Sequence, residues 1–206
     1  MKKSLILTIS ALVIIIIVQS ALILNYSNRY INCAEITVKQ INDNSYFKSQ
    51  NNLLQHLYDR CFKISGTRLN EVIVENNKRE KISLKFLINK NIKLIYYFNE
   101  YSCIACVDEE LVTFNKLIEK IGRENAVILV DFSNYKDYYQ FQCRNDIKCE
   151  IYNTNGCQLG IKIENESLIF TINADLVIGK CFIPIKAMKE KTDDYYNNIL
   201  ETYFSE

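Results

Sequence analysis

Histidine and proline are nearly absent from this 206-residue chain, which has one of each, and neither sign of charge dominates: 25 Lys and Arg face 24 Asp and Glu. The lone histidine, His56, has no companion with which to build a catalytic pair or a metal centre, and reads as an ordinary helix residue. A net charge of +1 leaves no electrostatic footprint for nucleic acid, so no nucleic-acid partner is expected. Repeats and low-complexity tracts are also missing. What remains is a chain that is 49% hydrophobic, enough for one good core, with eight cysteines. That is more than an ordinary cytosolic protein of this size carries, and it suggests an oxidising compartment.

The N-terminus points the same way. Leu5 to Leu24 holds no charged residue and follows Lys2 and Lys3, matching the length of a membrane span and its positive-inside bias. Residues 1–25 are therefore expected to anchor the chain in a cell membrane, with the body facing the periplasm or cell exterior. The rival reading is a cleaved signal peptide ending near Val18-Gln19-Ser20, against which Ala21 to Leu24 stay apolar. Tyr30-Ile31-Asn32 before Cys33 is a poor lipoprotein signal. Residues 26–65 read as a polar spacer with a lead-in helix from about Tyr46 to Phe62, capped by Ser45.

The chemistry centres on Cys103-Ile104-Ala105-Cys106, at the end of an apolar run and the start of a helix. One helical turn puts both sulfurs on one face, close enough to bond. The helix dipole favours a thiolate on Cys103, the form that attacks disulfides. Asp108, Glu109 and Glu110 oppose it, so only a modest lowering of the Cys103 pKa is expected. Ile104, Val107, Leu111, Phe114, Ile118 and Ile121 form an apolar stripe, and Gly122 supplies the stop.

Around this unit, Glu71-Val72-Ile73-Val74 and Lys81-Ile82-Ser83-Leu84 predict a hairpin turning at Asn76-Asn77. Ile92 to Phe98 and Ala126 to Val130 predict buried strands, parallel because a helix crosses between them. Ser133 is expected to cap a short helix through Tyr135, Tyr138, Tyr139 and Phe141 to about Arg144. These tyrosines read as core aromatics of a sheet-covering helix rather than a carbohydrate- or peptide-binding face. Asn145 to Glu166 reads as irregular. Ser167 to Ile172 and Leu176 to Ile183 predict a second hairpin, and Thr192 a cap for a closing helix bearing Tyr195, Ile199 and Tyr203.

This order, with Gly66-Thr67-Arg68-Leu69, Lys90-Asn91-Ile92-Lys93-Leu94-Ile95-Tyr96-Tyr97-Phe98, the Cys-x-x-Cys, and Phe182-Ile183-Pro184 before the last helix, resembles membrane-anchored TlpA/ResA-type proteins of the wider AhpC/TSA group. The resemblance covers about Gly66 to Phe204. It implies an α/β fold with a thioredoxin-like mixed sheet and flanking helices over residues 66–206, preceded by an N-terminal hairpin, lead-in helix and transmembrane segment. It also implies that Cys103 attacks and Cys106 resolves, and that protein thiols and disulfides are the partners. Where such proteins place an aromatic before the first cysteine this chain has Ser102, and where they bury an acid in the preceding strand it has Tyr97. Where they carry a cis-proline facing the motif it has Glu166 and Ser167, which take the substrate-binding position.

Among the other cysteines, Cys33 is expected to bond Cys61, and two of Cys143, Cys149 and Cys157 to staple the irregular segment. Their spacing lacks a second tight pair, so neither metal nor cofactor is expected. Two functions compete: a membrane-anchored thiol-disulfide oxidoreductase, and a weakly active or inactive thioredoxin-fold binding module at the membrane. Peroxide reduction is set aside, because the threonine and proline that surround a peroxidatic cysteine are absent.

Overall fold

The structure, a computed structural model, describes the backbone of residues 2–88 and 91–205; the side chains of 2–18, 21, 23, 27–31, 33, 34 and 187 lie outside it. Two compact units emerge, Met1–Gln55 and His56–Glu206. A single helix, α1 (Lys2–Ile64), runs through the first unit and into the second. The predicted lead-in helix is thus part of a longer one. Ser45 does not cap it: its hydroxyl donates to the Asn42 carbonyl at 2.8 Å, one turn back within the helix. The stretch read as a membrane span, Leu5 to Leu24, is helical backbone whose side chains, except Gln19, Ser20, Leu22 and Leu24, lie outside the described residues. Among those described, no helix is long and apolar enough to cross a membrane.

In the second unit a mixed sheet is built from β1 (Ile73–Glu75), β2 (Lys81–Ser83), β3 (Lys93–Asn99), β4 (Ala126–Asp131), β5 (Glu150–Asn153), β6 (Leu168–Ile172) and β7 (Ile178–Phe182), in the order β2-β1-β5-β4-β3-β6-β7. The β1 and β2 hairpin closes on Asn76, whose side-chain oxygen accepts from the Lys78 N–H at 2.9 Å, an Asx turn. β3 and β4 pair in parallel, with Leu94 opposite Ala126 through Asn99 opposite Asp131. β6 and β7 are antiparallel, as the predicted second hairpin requires. The irregular segment, in contrast, contains β5, paired in parallel with β4.

Side-chain alternation along β3 sorts the core into two faces. Ile95 and Tyr97 join α2 (Leu84–Ile88) and the end of α1, where Leu57, Cys61 and Ile64 pack. Leu94, Tyr96 and Phe98 face α3 (Ile104–Ile121), α4 (Tyr135–Arg144) and α5 (Lys189–Ile199). Three boundary details differ from the sequence reading. Ile104 is 58% exposed instead of joining the apolar stripe. Asn134, not Ser133, caps α4 by accepting from the Lys136 N–H at 2.9 Å, because Ser133 is held by Glu100 (2.7 Å). Thr192 is buried inside α5, which starts at Lys189. Gly122 ends α3 at φ 87°, a conformation that suits glycine, with its N–H on the Ile118 carbonyl at 2.9 Å.

Near the sheet edge, the β6–β7 ladder shifts register between Phe170 and Ile172. There the Thr171 hydroxyl accepts from the Lys180 N–H at 3.0 Å, and a Cβ on Gly179 would collide with it.

The α3 face is the place to test the packing. Phe114 is fully buried, its ring 5.3 Å from Tyr96 and 6.5 Å from Tyr196. Phe114→Ala is expected to cost about 3–5 kcal/mol in denaturant unfolding. A loss below about 1 kcal/mol would show that this face can collapse around the void.

Candidate functional site

The buried strand β3 ends at Asn99, and Asn99 builds the turn that follows. Its side-chain oxygen accepts from the Tyr101 N–H at 3.0 Å, and its carbonyl from the Ser102 N–H at 3.1 Å. This presents Cys103 as the N-cap of α3, where its carbonyl accepts from the Cys106 and Val107 N–H groups, each at 2.9 Å. Cys103 and Cys106 form a disulfide with Cα atoms 5.2 Å apart. Cys103 is exposed and Cys106 half-buried, so a reagent arriving from solvent meets Cys103 first.

The acids expected to repel a Cys103 thiolate are largely answered by partners. Asp108 lies 3.3 Å from Arg144, and Glu109 lies 2.9 Å from Lys186. These are solvent-screened pairs of small energy, and they offset part of the negative charge beside the helix start.

Glu110 behaves differently. It turns inward, accepts a hydrogen bond from the Tyr196 hydroxyl at 2.5 Å, and borders a cavity of about 30 Å³ together with Cys106, Ser167, Pro184 and Thr192. Burial raises its pKa to about 7, with Asp193 and Glu109 adding to the rise while the Tyr196 bond and Lys189 oppose it. Four residues after Cys106, it lies on the same helical face. Where the resemblance implies an acid in β3 this chain has Tyr97, which is buried and titrates above its usual range through desolvation. The acid comes instead from α3. Its spacing from Cys106 was the available signal; its burial depends on Tyr196, far along the chain.

The segment opposite the motif is tied down by polar contacts. Cys103 N–H donates to the Asn165 carbonyl at 3.3 Å, and the Asn99 side-chain amide to the Glu164 carbonyl at 3.0 Å. Ser102 Oγ lies 3.1 Å from both the Asn99 side-chain oxygen and the Glu166 carbonyl. Ser102 is therefore a buried clamp where the resemblance implied an aromatic. Of the two residues read as substrate-binding, Ser167 reaches the cavity beside Cys106. Glu166 does not line it: its carbonyl is taken by Ser102, and its carboxylate forms an ion pair with Arg60 of α1.

The remaining cysteines correct the expected bridges. Cys61, Cys143, Cys149 and Cys157 are all free thiols. Cys143 and Cys157 are exposed on α4 and on the turn after β5. Cys149 packs under the α3 face, and burial pushes its thiol up to about 12. The segment expected to need a staple is held by the β5 ladder. Cys61 points into the core, and the Cys33 side chain lies outside the described residues. Tyr138 is core, donating to the Ile151 carbonyl at 2.9 Å, while Tyr139 is 49% exposed.

Beside Cys103 opens a cleft of about 510 Å³ walled by Ile104, Val107, Phe98, Phe132 and Phe141, with Arg144 and Asp137 at its rim. Tyr101, 71% exposed, stands in the turn next to it. This arrangement offers an accessible sulfur, a partly buried partner sulfur, an acid near neutrality, and apolar surface for a flanking side chain.

No family model matches the sequence, and no curated protein matches it. Solved structures do. Peroxidoxin BcpB from Mycobacterium tuberculosis superposes with a TM-score of 0.52 at 12% identity, over 67% of this chain and 97% of that one. A protein named for thiol:disulfide interchange, DsbE from Chlorobium tepidum, gives 0.51 at 11% identity, over 66% and 97%. PrxQ from Xylella fastidiosa gives 0.51 at 15% identity, over 66% and 95%. With the strand order, the parallel β3–α3–β4 unit and the Cys-x-x-Cys at the start of α3 already established, these likenesses identify the fold of this chain as thioredoxin-like.

Proposed function

We propose that this chain is a thiol-disulfide oxidoreductase acting on protein thiols and disulfides, held at the membrane by its N-terminal segment with the catalytic unit outside the cytoplasm. The observation that carries the redox reading is the Cys103–Cys106 disulfide at the mouth of α3, with one sulfur exposed and the other beside Glu110. The uncharged run Leu5 to Leu24 behind Lys2 and Lys3 supports the anchored placement.

The disulfide form can oxidise a substrate dithiol. A substrate thiolate attacks Cys103 Sγ, the bond to Cys106 breaks, and the Cys106 thiolate takes the proton of Glu110. A second substrate thiolate then attacks the substrate sulfur of the mixed disulfide and displaces Cys103. The substrate leaves as a disulfide and the chain keeps two thiols. In the reverse direction the Cys103 thiolate opens a substrate disulfide and Cys106 releases it. The apolar cleft takes the residue flanking the substrate cysteine, so protein rather than small polar thiols are the fitting substrates.

The competing reading is a binding module, favoured by Asn165-Glu166-Ser167 standing opposite the motif in place of a proline. Stoichiometric mixing of the oxidised full chain with a reduced dithiol peptide separates the two. Formation of the peptide disulfide together with two new thiols on Cys103 and Cys106 is expected. A pair that stays closed to the peptide overturns the oxidoreductase.

A further inference from the structure

Away from the motif, a second pair of cysteines shares one patch of core. Cys61, in the last turns of α1, is 8% exposed, and Cys181, in β7, is half-buried. Both side chains pack in the same core cluster, and each thiol is the strongest single influence on the other's hold on its proton. The meeting is fixed by backbone. Past α1, Gly66 N–H donates to the Ile178 carbonyl (2.8 Å), Ile178 N–H to the Thr67 carbonyl (2.9 Å), and Leu69 N–H to the Leu176 carbonyl (2.8 Å). Arg68 and Val177 form an antiparallel bridge. The chain leaving α1 thus runs alongside the start of β7 and holds Cys61 against it. Leu57 and Ile64 pack on the same side of the core.

We propose that Cys61 and Cys181 are a second redox couple, closing to a disulfide that staples the end of α1 to strand β7. The reading is independent of the Cys103–Cys106 chemistry. The backbone bonds on either side set both side chains, Cys61 buried and Cys181 half-buried, into one patch of core where their sulfurs can meet. Their asymmetry suits exchange. The neighbouring Cys181 and, more weakly, the Ile183 backbone and Arg60 favour a thiolate on Cys61, while Cys61 and burial keep the proton on Cys181.

The oxidant is a small disulfide. Cys61 thiolate attacks one of its sulfurs and expels one thiolate, which takes the proton of Cys181. The Cys181 thiolate then attacks the Cys61 sulfur, forms the intramolecular bond and expels the second thiolate. Two protein sulfurs are oxidised and one external disulfide is reduced to two thiols. The product closes a loop of about 120 residues, a long one for chain-entropy stabilisation.

The test is a peptide map of the full chain carrying Cys103→Ser and Cys106→Ser, incubated with oxidised or with reduced glutathione, acid-quenched, alkylated and cut with trypsin. In the oxidised sample Cys61–Lys63 is expected joined to Cys181–Lys186, and in the reduced sample both peptides alkylated. The melting midpoint is expected to rise on oxidation by roughly 5–10 °C, and not in a further variant carrying Cys181→Ala. Wild-type chain gives the same map should the serine variant fail to fold, since Cys103 and Cys106 share a separate tryptic peptide. Alkylation of both thiols after oxidation overturns the proposal, as does Cys61 joined to Cys33 or left as a glutathione adduct.

Discussion

Replacing Cys103 with serine is expected to lower the rate of thiol-disulfide exchange by at least ~10³-fold, because no other sulfur is both exposed and seated at the start of α3. Serine is a good N-cap, and Cys103 makes no side-chain capping bond of its own, so the helix is kept or strengthened by about 1 kcal/mol. The variant separates lost chemistry from lost folding. Cys106→Ala gives the complementary result: Cys103 still opens substrate disulfides, but nothing releases them, and mixed disulfides accumulate. Acid quenching, alkylation and non-reducing electrophoresis of the full chain read both outcomes. Adducts that survive Cys103→Ala, or undiminished exchange in Cys103→Ser, would show that the reacting sulfur is elsewhere.

The second large effect is expected at Glu110. Its pKa is about 7 in the folded chain against roughly 4.3 unfolded, so the fold binds the proton more tightly. The stability this contributes is fully present below about pH 4, and is lost as pH rises through the interval to about 7. Glu110→Gln keeps a neutral acceptor for Tyr196 and removes the titration. It is expected to match wild type near pH 4 and to be more stable at pH 8, by up to roughly 3 kcal/mol in denaturant unfolding. The exchange rate carries a parallel signature. In the proposed exchange the Cys106 thiolate takes the Glu110 proton, so a step near pH 7 is expected in wild type and is expected to vanish in the variant. If the pH profiles of stability and rate are both unchanged, Glu110 neither titrates there nor serves Cys106.

These two sites also show what a sequence can disclose. The Cys-x-x-Cys helix was legible because everything that makes it is local: an apolar strand, a turn, a stripe at helical spacing and Gly122. β3 and β4 were legible for the same reason, since strands buried on both faces read as unbroken apolar runs. β5 was not, because Ile151 and Tyr152 are too short a run to announce a strand, and only pairing with β4 makes it one. The role of Glu110 was hidden likewise. Asp108, Glu109 and Glu110 look alike in sequence, and it is Arg144, Lys186 and Tyr196, each from a distant element, that give them different fates. Cys61 and Cys181 belong to the same class, brought into one patch of core by a strand register that no local pattern encodes.

The shifted ladder beside β7 bears on how this chain behaves in a crowd. β7 ends the sheet, and a row of unanswered backbone N–H and C=O groups at such an edge is what lets one molecule add a strand to the next. Here the strand is only five residues long, and its first residue is already answered, since Ile178 N–H bonds the Thr67 carbonyl and the Ile178 carbonyl the Gly66 N–H. It is thrown out of step by the register shift, and it carries Lys180, whose amine is drawn to Asn198 and Thr202. A second copy would find no continuous template to extend. The irregularity guards this edge of the sheet against pairing with another copy.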